Sequence, residues 1–85
     1  MAEGLKVEIR RILNDTARLP VDAETLDDHD DLYLAGMSSH ASVDVMLELE
    51  DAFGIEFPTD MLNRSAFESI AAISEAVASL KAQAA

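Results

Sequence analysis

The stretch that decides the fold of this chain reads DLYLAGMSSH over residues 31–40 and continues as ASVDVMLELEDAF to residue 53. Gly36 favours a turn, and Ser38 and Ser39 stand where a helix begins, a position at which hydroxyl side chains are favoured as caps. Apolar side chains then recur at helical spacing up to Phe53, and Gly54 follows as a stop. We therefore predict a helix over residues 39–53.

Similar patterns flank this helix on both sides. An apolar stripe predicts a first helix at about 3–18, which Pro20 ends because the residue before a proline is pushed out of helical geometry. Pro58 precedes a short segment at 59–64, and a last stripe predicts a helix at 67–81. The prediction is one all-α domain over residues 1–85, a four-helix bundle with three longer helices and one short one. A long acidic loop, residues 20–38, joins the first two helices, and Leu26 and Leu32 are expected to pin it to the core.

Composition narrows the function classes. The 85 residues carry 17 acidic and 6 basic side chains, a formal net charge of −11, which disfavours nucleic-acid binding and favours basic partners. No apolar run approaches the length of a membrane span, and the chain has no cysteine for disulfides or thiolate metal sites. We expect a cytoplasmic monomer that binds neither nucleic acid nor membrane.

Ser39 is the candidate for chemistry. A helix start presents unpaired N–H groups and the positive end of the helix dipole, so an anion attached there is favoured. The alternative is that Ser39 is a simple helix cap. A hydrolase that pairs Ser39 with His40 is disfavoured, because adjacent residues on a helix point in different directions.

The motif around Ser39 resembles a known family. The pattern D-L-x-x-x-G-x-x-S, followed by L-E-D-A-F at 49–53 and I-E-F-P at 55–58, resembles the acyl and peptidyl carrier proteins, in which an L-E-x-x-F-like sequence begins ten residues after the modified serine. Ser39 and Leu49 have that separation. The resemblance implies a 4′-phosphopantetheine arm, transferred from coenzyme A to Ser39 by a phosphopantetheinyl transferase. The arm would hold an acyl group as a thioester, and the protein would be a carrier, not an enzyme.

The residues beside Ser39 depart from the common Asp-Ser-Leu core of that family, because Ser38 and His40 replace the aspartate and the leucine. The sequence GMSSHASV at 36–43, where the helix begins, and the segment FPTDMLNRSAF at 57–67 resemble those of bacterial stand-alone carriers. Such carriers are charged by amino acid:carrier protein ligases that are similar to seryl-tRNA synthetases. This resemblance implies a small aminoacyl cargo, such as glycine or alanine, and a downstream acceptor enzyme. The alternatives are an acyl carrier for fatty-acid or polyketide synthesis and an unmodified acidic helical interaction module.

The family places its partner-docking surface on the helix that follows the modified serine. Val43 and Leu47 lie off the core stripe of that helix, and the alternative for them is packing against the short third helix. The candidate docking residues are His40, Val43, Asp44, Leu47, Glu48, Asp51, Met61 and Arg64.

The acidic run over residues 27–31 raises the question of a cation site. It lacks the alternating oxygen ligands, central glycine and terminal glutamate of an EF-hand loop. We interpret it as a solvated surface and expect no metal site, with a small acidic ion-binding protein as the alternative.

Overall fold

The structure is a computed structural model that describes residues 2–84, so Met1 and Ala85 lie outside the described part of the predicted domain. The three long helices are α1 (Ala2–Thr16), α2 (Ser39–Phe53) and α3 (Ile70–Ala84). Three short 3-10 turns complete the regular structure, at Ala23–Thr25, Thr59–Met61 and Arg64–Phe67. Helix α1 packs against both α2 and α3, and the Arg64–Phe67 turn packs against α3. Three longer helices in an all-α arrangement confirm the predicted fold class.

Helix α1 ends two residues before the predicted bound at residue 18. Arg18 has a φ of 55°, in the left-handed region that a continuing helix cannot use. The Ala17 N–H still donates to the Leu13 carbonyl at 2.9 Å, and the Thr16 hydroxyl donates to the Ile12 carbonyl at 2.7 Å. The backbone at Arg18, rather than Pro20, therefore ends this helix.

The predicted short helix over residues 59–64 is replaced by two 3-10 turns. Leu62 leaves helical geometry at φ −87° and ψ 68°, and Asn63 is extended at φ −140°. The Asn63 side chain then accepts a hydrogen bond from the Ala66 N–H at 3.0 Å and so starts the second turn. An asparagine that caps a new turn interrupts the helical run, which the apolar pattern alone does not show.

Helix α3 begins at Ile70, three residues after the predicted start, and runs to Ala84. Phe67 belongs to the preceding 3-10 turn. The Ser69 hydroxyl accepts from the Ala72 N–H at 3.0 Å, which satisfies one of the free donors at the helix start.

The core is one continuous cluster along the inner faces of the three helices. Leu32 from the long loop is fully buried, and Leu26 packs against the cluster half-buried, so the loop is anchored as predicted. The largest fully buried side chains are Ile9, Ile12, Leu13, Leu32, Val45, Leu49, Ile70, Ile73 and Val77. Among the described residues, no helix is both long and apolar enough to cross a membrane.

Candidate functional site

Ser39 is the first residue of α2, and its side chain is exposed. The cap of the helix is the residue before it: the Ser38 Oγ accepts from the Ala41 N–H at 3.0 Å. Within residues 4–83 the Ser39 hydroxyl takes part in no hydrogen bond, and its carbonyl accepts from the Ser42 hydroxyl at 2.6 Å. Ser39 is thus not the helix cap, and its hydroxyl is open to solvent at the start of a 15-residue helix.

A compact turn leads the chain into Ser39. The Asp31 carboxylate accepts from the N–H groups of Tyr33 at 2.9 Å and Leu34 at 3.2 Å. The Met37 N–H donates to the Leu32 carbonyl at 3.0 Å, and the Met37 side chain is buried. These bonds fix the backbone of the turn before α2. The position of Ser39 is thus set by this turn on one side and by helix α2 on the other.

Gly36 allows this turn to lie close to the end of α1. Its φ is 123°, and a Cβ atom built there would lie 2.6 Å from the Pro20 Cδ. A side chain at residue 36 would therefore be excluded by both the backbone angle and the contact. The glycine of the G-x-x-S pattern is required by this close approach.

The long loop is attached to α1 by two cations. The Arg10 guanidinium donates to the carbonyls of Ala23 at 2.6 Å and Leu26 at 2.7 Å, and to the Asp28 carboxylate at 2.6 Å. The Lys6 ammonium donates to the other Asp28 oxygen at 2.7 Å. The hydrogen bond from Lys6, helped by Arg10, lowers the pKa of Asp28 below its usual value. The loop that ends at the Ser39 turn is thus held by charge-assisted hydrogen bonds.

Beside Ser39 lies an open groove of about 420 Å³ between α2 and the two turns that follow it. We call it the Ser39 groove. Its walls are mostly apolar, and the Arg64 guanidinium carbon lies 4.0 Å from the centroid of the Tyr33 ring. The groove is lined by Tyr33, Ser39, Ser42, Val43, Met46, Leu62, Asn63, Arg64 and Phe67.

The docking candidates separate into two places. Val43 and Arg64 border the Ser39 groove. Asp44, Leu47, Glu48 and Asp51 instead line a polar depression with Asp15, Thr16 and Arg18 of the α1 end.

Exposure differs among these candidates. Val43 and Leu47 are 48% and 54% exposed, so they do not pack against the 59–67 segment as core residues would. Met61 is half-buried against the core, whereas His40 is exposed and lines neither depression. The sequence did not indicate two residues of these surfaces. Tyr33 of the long loop lines the Ser39 groove, and Asp15 of α1 lines the polar depression.

The acidic run in the loop has local structural roles. The Asp30 carboxylate accepts from the Asp27 N–H at 2.9 Å, Asp31 supports the turn before Ser39, and Asp28 is paired with cations. Among the described residues there is no group of His, Cys, Asp and Glu side chains arranged to hold a metal ion.

The residues around Ser39 fit a phosphopantetheine group. The hydroxyl is exposed and not needed for capping, and no carboxylate lines the Ser39 groove. The positive end of α2 and the Arg64 guanidinium both favour a phosphodiester there. An anion attached to Ser39 would meet neither burial nor like charge within this groove.

Comparisons with known proteins agree with this arrangement. Residues 7–77 match the family model described as "Phosphopantetheine attachment site". The aminoacyl carrier protein of Agrobacterium fabrum is 49% identical over 73 residues, which is 86% of this chain and 88% of the relative.

Solved structures give the same result. A crystal structure of an engineered Bradyrhizobium japonicum glycine:[carrier protein] ligase with a carrier protein from Agrobacterium tumefaciens and AMP matches at a TM-score of 0.84 and 49% identity, covering 86% of this chain and 97% of the matched one. A solution structure of an Agrobacterium tumefaciens protein matches at a TM-score of 0.72 and 46% identity, covering 94% of this chain and 99% of the other. The chain belongs to the phosphopantetheine-binding carrier proteins, a family of carriers rather than enzymes, and within them to the family of the aminoacyl carrier proteins.

Proposed function

We propose that this chain holds a small amino acid, glycine in the first place, as a thioester on a phosphopantetheine arm at Ser39. A separate ATP-dependent amino acid:carrier protein ligase would load it. The observation that carries the proposal is the 49% identity to a carrier protein whose structure was determined with a glycine:[carrier protein] ligase. The Ser39 side chain is exposed and does not cap α2, which supports Ser39 as the attachment site.

In this proposal the protein positions the arm and its partners recognise the protein. When attached, the arm supplies the thiol that holds the cargo. Ser39 provides the hydroxyl to which a phosphopantetheinyl transferase joins the arm from coenzyme A. The turn at Gly36 and the Ser38 cap hold that hydroxyl at the surface, where a transferase, a ligase and an acceptor enzyme can each reach it in turn.

The exposed face of α2 is the proposed docking surface. Leu47 is 54% exposed at the edge of the depression that gathers acidic side chains from α1 and α2. An exposed leucine surrounded by carboxylates suits a partner with an apolar pocket and a basic rim. The proposed docking residues remain His40, Val43, Asp44, Leu47, Glu48, Asp51, Met61 and Arg64.

The first experiment tests the arm. The purified protein is incubated with coenzyme A and a broad-specificity phosphopantetheinyl transferase, and its intact mass is measured. The wild type and Ser38→Ala should each gain one phosphopantetheine group, and Ser39→Ala should gain none. A mass gain that persists in Ser39→Ala would refute attachment at this serine.

The second experiment tests the cargo. The modified protein is incubated with a glycine:[carrier protein] ligase, ATP and single amino acids, and thioester formation is followed by intact mass and by release with hydroxylamine. Glycine or another small amino acid should be loaded. Loading only by malonyl or long acyl groups, offered with acyl carrier enzymes in parallel, would show that the chain serves fatty-acid or polyketide synthesis instead.

The proposal also places the protein in the cytoplasm as a monomer. Coenzyme A and ATP, which modification and loading require, are cytoplasmic metabolites. Repeated exchange between a transferase, a ligase and an acceptor favours a docking face that is not covered by a second copy of the chain.

A further inference from the structure

Arg64 is the basic residue that lines the Ser39 groove. Its guanidinium lies over the Tyr33 ring at 4.0 Å from the centroid, and within residues 4–83 it forms no salt bridge. Lys6 and Arg10 pair with Asp28, and Arg11 pairs with carboxylates on its own helix. Arg18 and Lys81 also form no salt bridge among the described residues, but neither of them lines the Ser39 groove.

The position of Arg64 sets it apart from the other cations. Arg64 and Ser39 line the same groove, and no Asp, Glu or other Lys or Arg side chain lines it. The rest of the wall beside them is mostly apolar, with Val43, Met46 and Leu62. An anion at Ser39 therefore has one cationic side chain on its own groove and no carboxylate there to compete for it.

We propose that Arg64, held against the Tyr33 ring, is the positioning residue for the phosphodiester that joins the arm to Ser39. This inference rests on the proposed attachment at Ser39 and is independent of the cargo. A guanidinium stacked on an aromatic face keeps its edge N–H groups free, and these match two phosphate oxygens at once. The ring limits the rotation of the arginine, so less side-chain entropy is lost when the phosphate is bound.

The consequence is a preferred direction for the arm. A phosphate drawn toward Arg64 directs the arm over the Ser39 groove and away from the acidic depression near Leu47. The part of the docking surface around Leu47 then stays uncovered while the arm is not engaged by a partner. The alternative for Arg64 is that it pairs with a carboxylate of the ligase, in which case the phosphodiester would not respond to it.

Nuclear magnetic resonance distinguishes these two roles in the protein without any partner. The arginine Nε–Hε resonances of the wild type are recorded before and after modification. The ³¹P resonance of the phosphodiester is recorded in the modified form and compared between variants. We expect the Arg64 resonance to shift on modification while that of Arg18 does not. Added salt should reduce the shift, because an exposed ion pair is screened.

Variants supply the controls. Arg64→Gln should move the ³¹P resonance, whereas Arg18→Gln, which removes the same charge outside the Ser39 groove, should not. Tyr33→Phe should keep the wild-type ³¹P resonance, and Tyr33→Leu should move it toward that of Arg64→Gln. Arg64→Lys should lie between the wild type and Arg64→Gln, since it keeps the charge without the planar fork.

The outcomes separate this inference from the proposed function. A chain that gains no arm by intact mass would refute both. Two results would refute only the role of Arg64. One is an Arg64 resonance that does not change on modification, and the other is the same ³¹P resonance in Arg64→Gln and Arg18→Gln. Slower loading by the ligase in Arg64→Gln with an unchanged ³¹P resonance would assign Arg64 to the partner interface and overturn the inference.

Discussion

The Ser38 Oγ accepts a hydrogen bond from the Ala41 N–H at 3.0 Å, so α2 is capped by the residue immediately before the proposed attachment site. Carrier proteins commonly have aspartate at this position, and serine is an equally suitable cap because both side chains are short and carry an oxygen that can accept a hydrogen bond from an N–H of the first turn. The departure at Ser38 therefore preserves the function of the residue in the fold. Two adjacent serines divide the work: one caps the helix and the next stays available for modification.

The first prediction separates these two serines. Ser38→Ala should lower the free energy of unfolding by about 1 kcal/mol, because it leaves the Ala41 N–H without its cap, whereas Ser38→Asp should retain the stability. Ser39→Ala should change stability by less than about 0.5 kcal/mol, since its hydroxyl bonds to no described residue. Urea denaturation of the three unmodified variants checks this, and a larger loss for Ser39→Ala than for Ser38→Ala would contradict it.

The second prediction concerns the close approach of Gly36 to Pro20. Gly36→Ala should destabilise the fold by about 2–4 kcal/mol, because φ is 123° and the new Cβ would lie 2.6 Å from the proline ring. Gly4→Ala is the matched control: Gly4 lies in α1 with nothing within 4 Å of the added carbon, and the change should be neutral or stabilising. Equal effects of the two substitutions in urea denaturation would show that the turn relaxes freely.

The third prediction concerns the attachment of the loop to α1 by Arg10. Arg10→Ala should cost about 2–3 kcal/mol, because the carbonyls of Ala23 and Leu26 and the Asp28 carboxylate all lose a charged donor. Arg11→Ala should cost less than about 1 kcal/mol, since Arg11 forms only exposed pairs within its own helix. Denaturation midpoints measure the difference, and backbone amide exchange over residues 23–28 should accelerate in Arg10→Ala alone.

Much of the fold follows from local pattern, and the site follows only in part. The bounds of α2 coincide with those predicted, because a long apolar stripe, a serine start and a glycine stop all agree. The same periodicity puts Glu50 off the apolar stripe and does not show that its carboxylate accepts from the Phe57 N–H at 2.8 Å, a bond that holds the next segment to α2. Such a bond depends on where the chain returns after Gly54.

The Ser39 groove shows the same limit more clearly. Tyr33 and Arg64 are far apart in sequence and meet only because the 59–67 segment turns back across the start of α2. Helical periodicity reports which face of one element is apolar and says nothing of the distance between two irregular segments. The motif indicates Ser39 as the attachment residue and the sequence also offers Arg64 as a docking candidate, but the contact between Arg64 and Tyr33 is not predictable from either.

The fourth prediction is a pH dependence that Asp28 creates. Its pKa is lowered in the folded state, chiefly by the hydrogen bond from Lys6, so the unfolded chain takes up a proton first as the pH falls. The stabilisation is therefore present above about pH 4, the ordinary range for aspartate, and is lost as the pH falls through the lower folded-state value. Asp28→Asn should be less stable than the wild type at neutral pH and approach it in acid. Asp27→Asn, which breaks no ion pair, should show no such convergence when urea midpoints are compared across pH.

The fifth prediction tests the proposed docking surface at Leu47. Leu47→Ser should reduce kcat/KM for loading by an amino acid:carrier protein ligase about 10-fold or more, because an exposed leucine at an interface centre loses its apolar contact. Val7→Ser is the matched control, since Val7 is 63% exposed on α1 and lies on neither depression near α2. Both variants should unfold at nearly the wild-type urea concentration, because neither side chain belongs to the core. Modification by the transferase, followed by intact mass, confirms that each variant carries the arm before loading is measured. A similar loss of loading in both variants, or an unchanged rate in Leu47→Ser, would show that the ligase does not depend on Leu47 and would contradict the proposed docking surface.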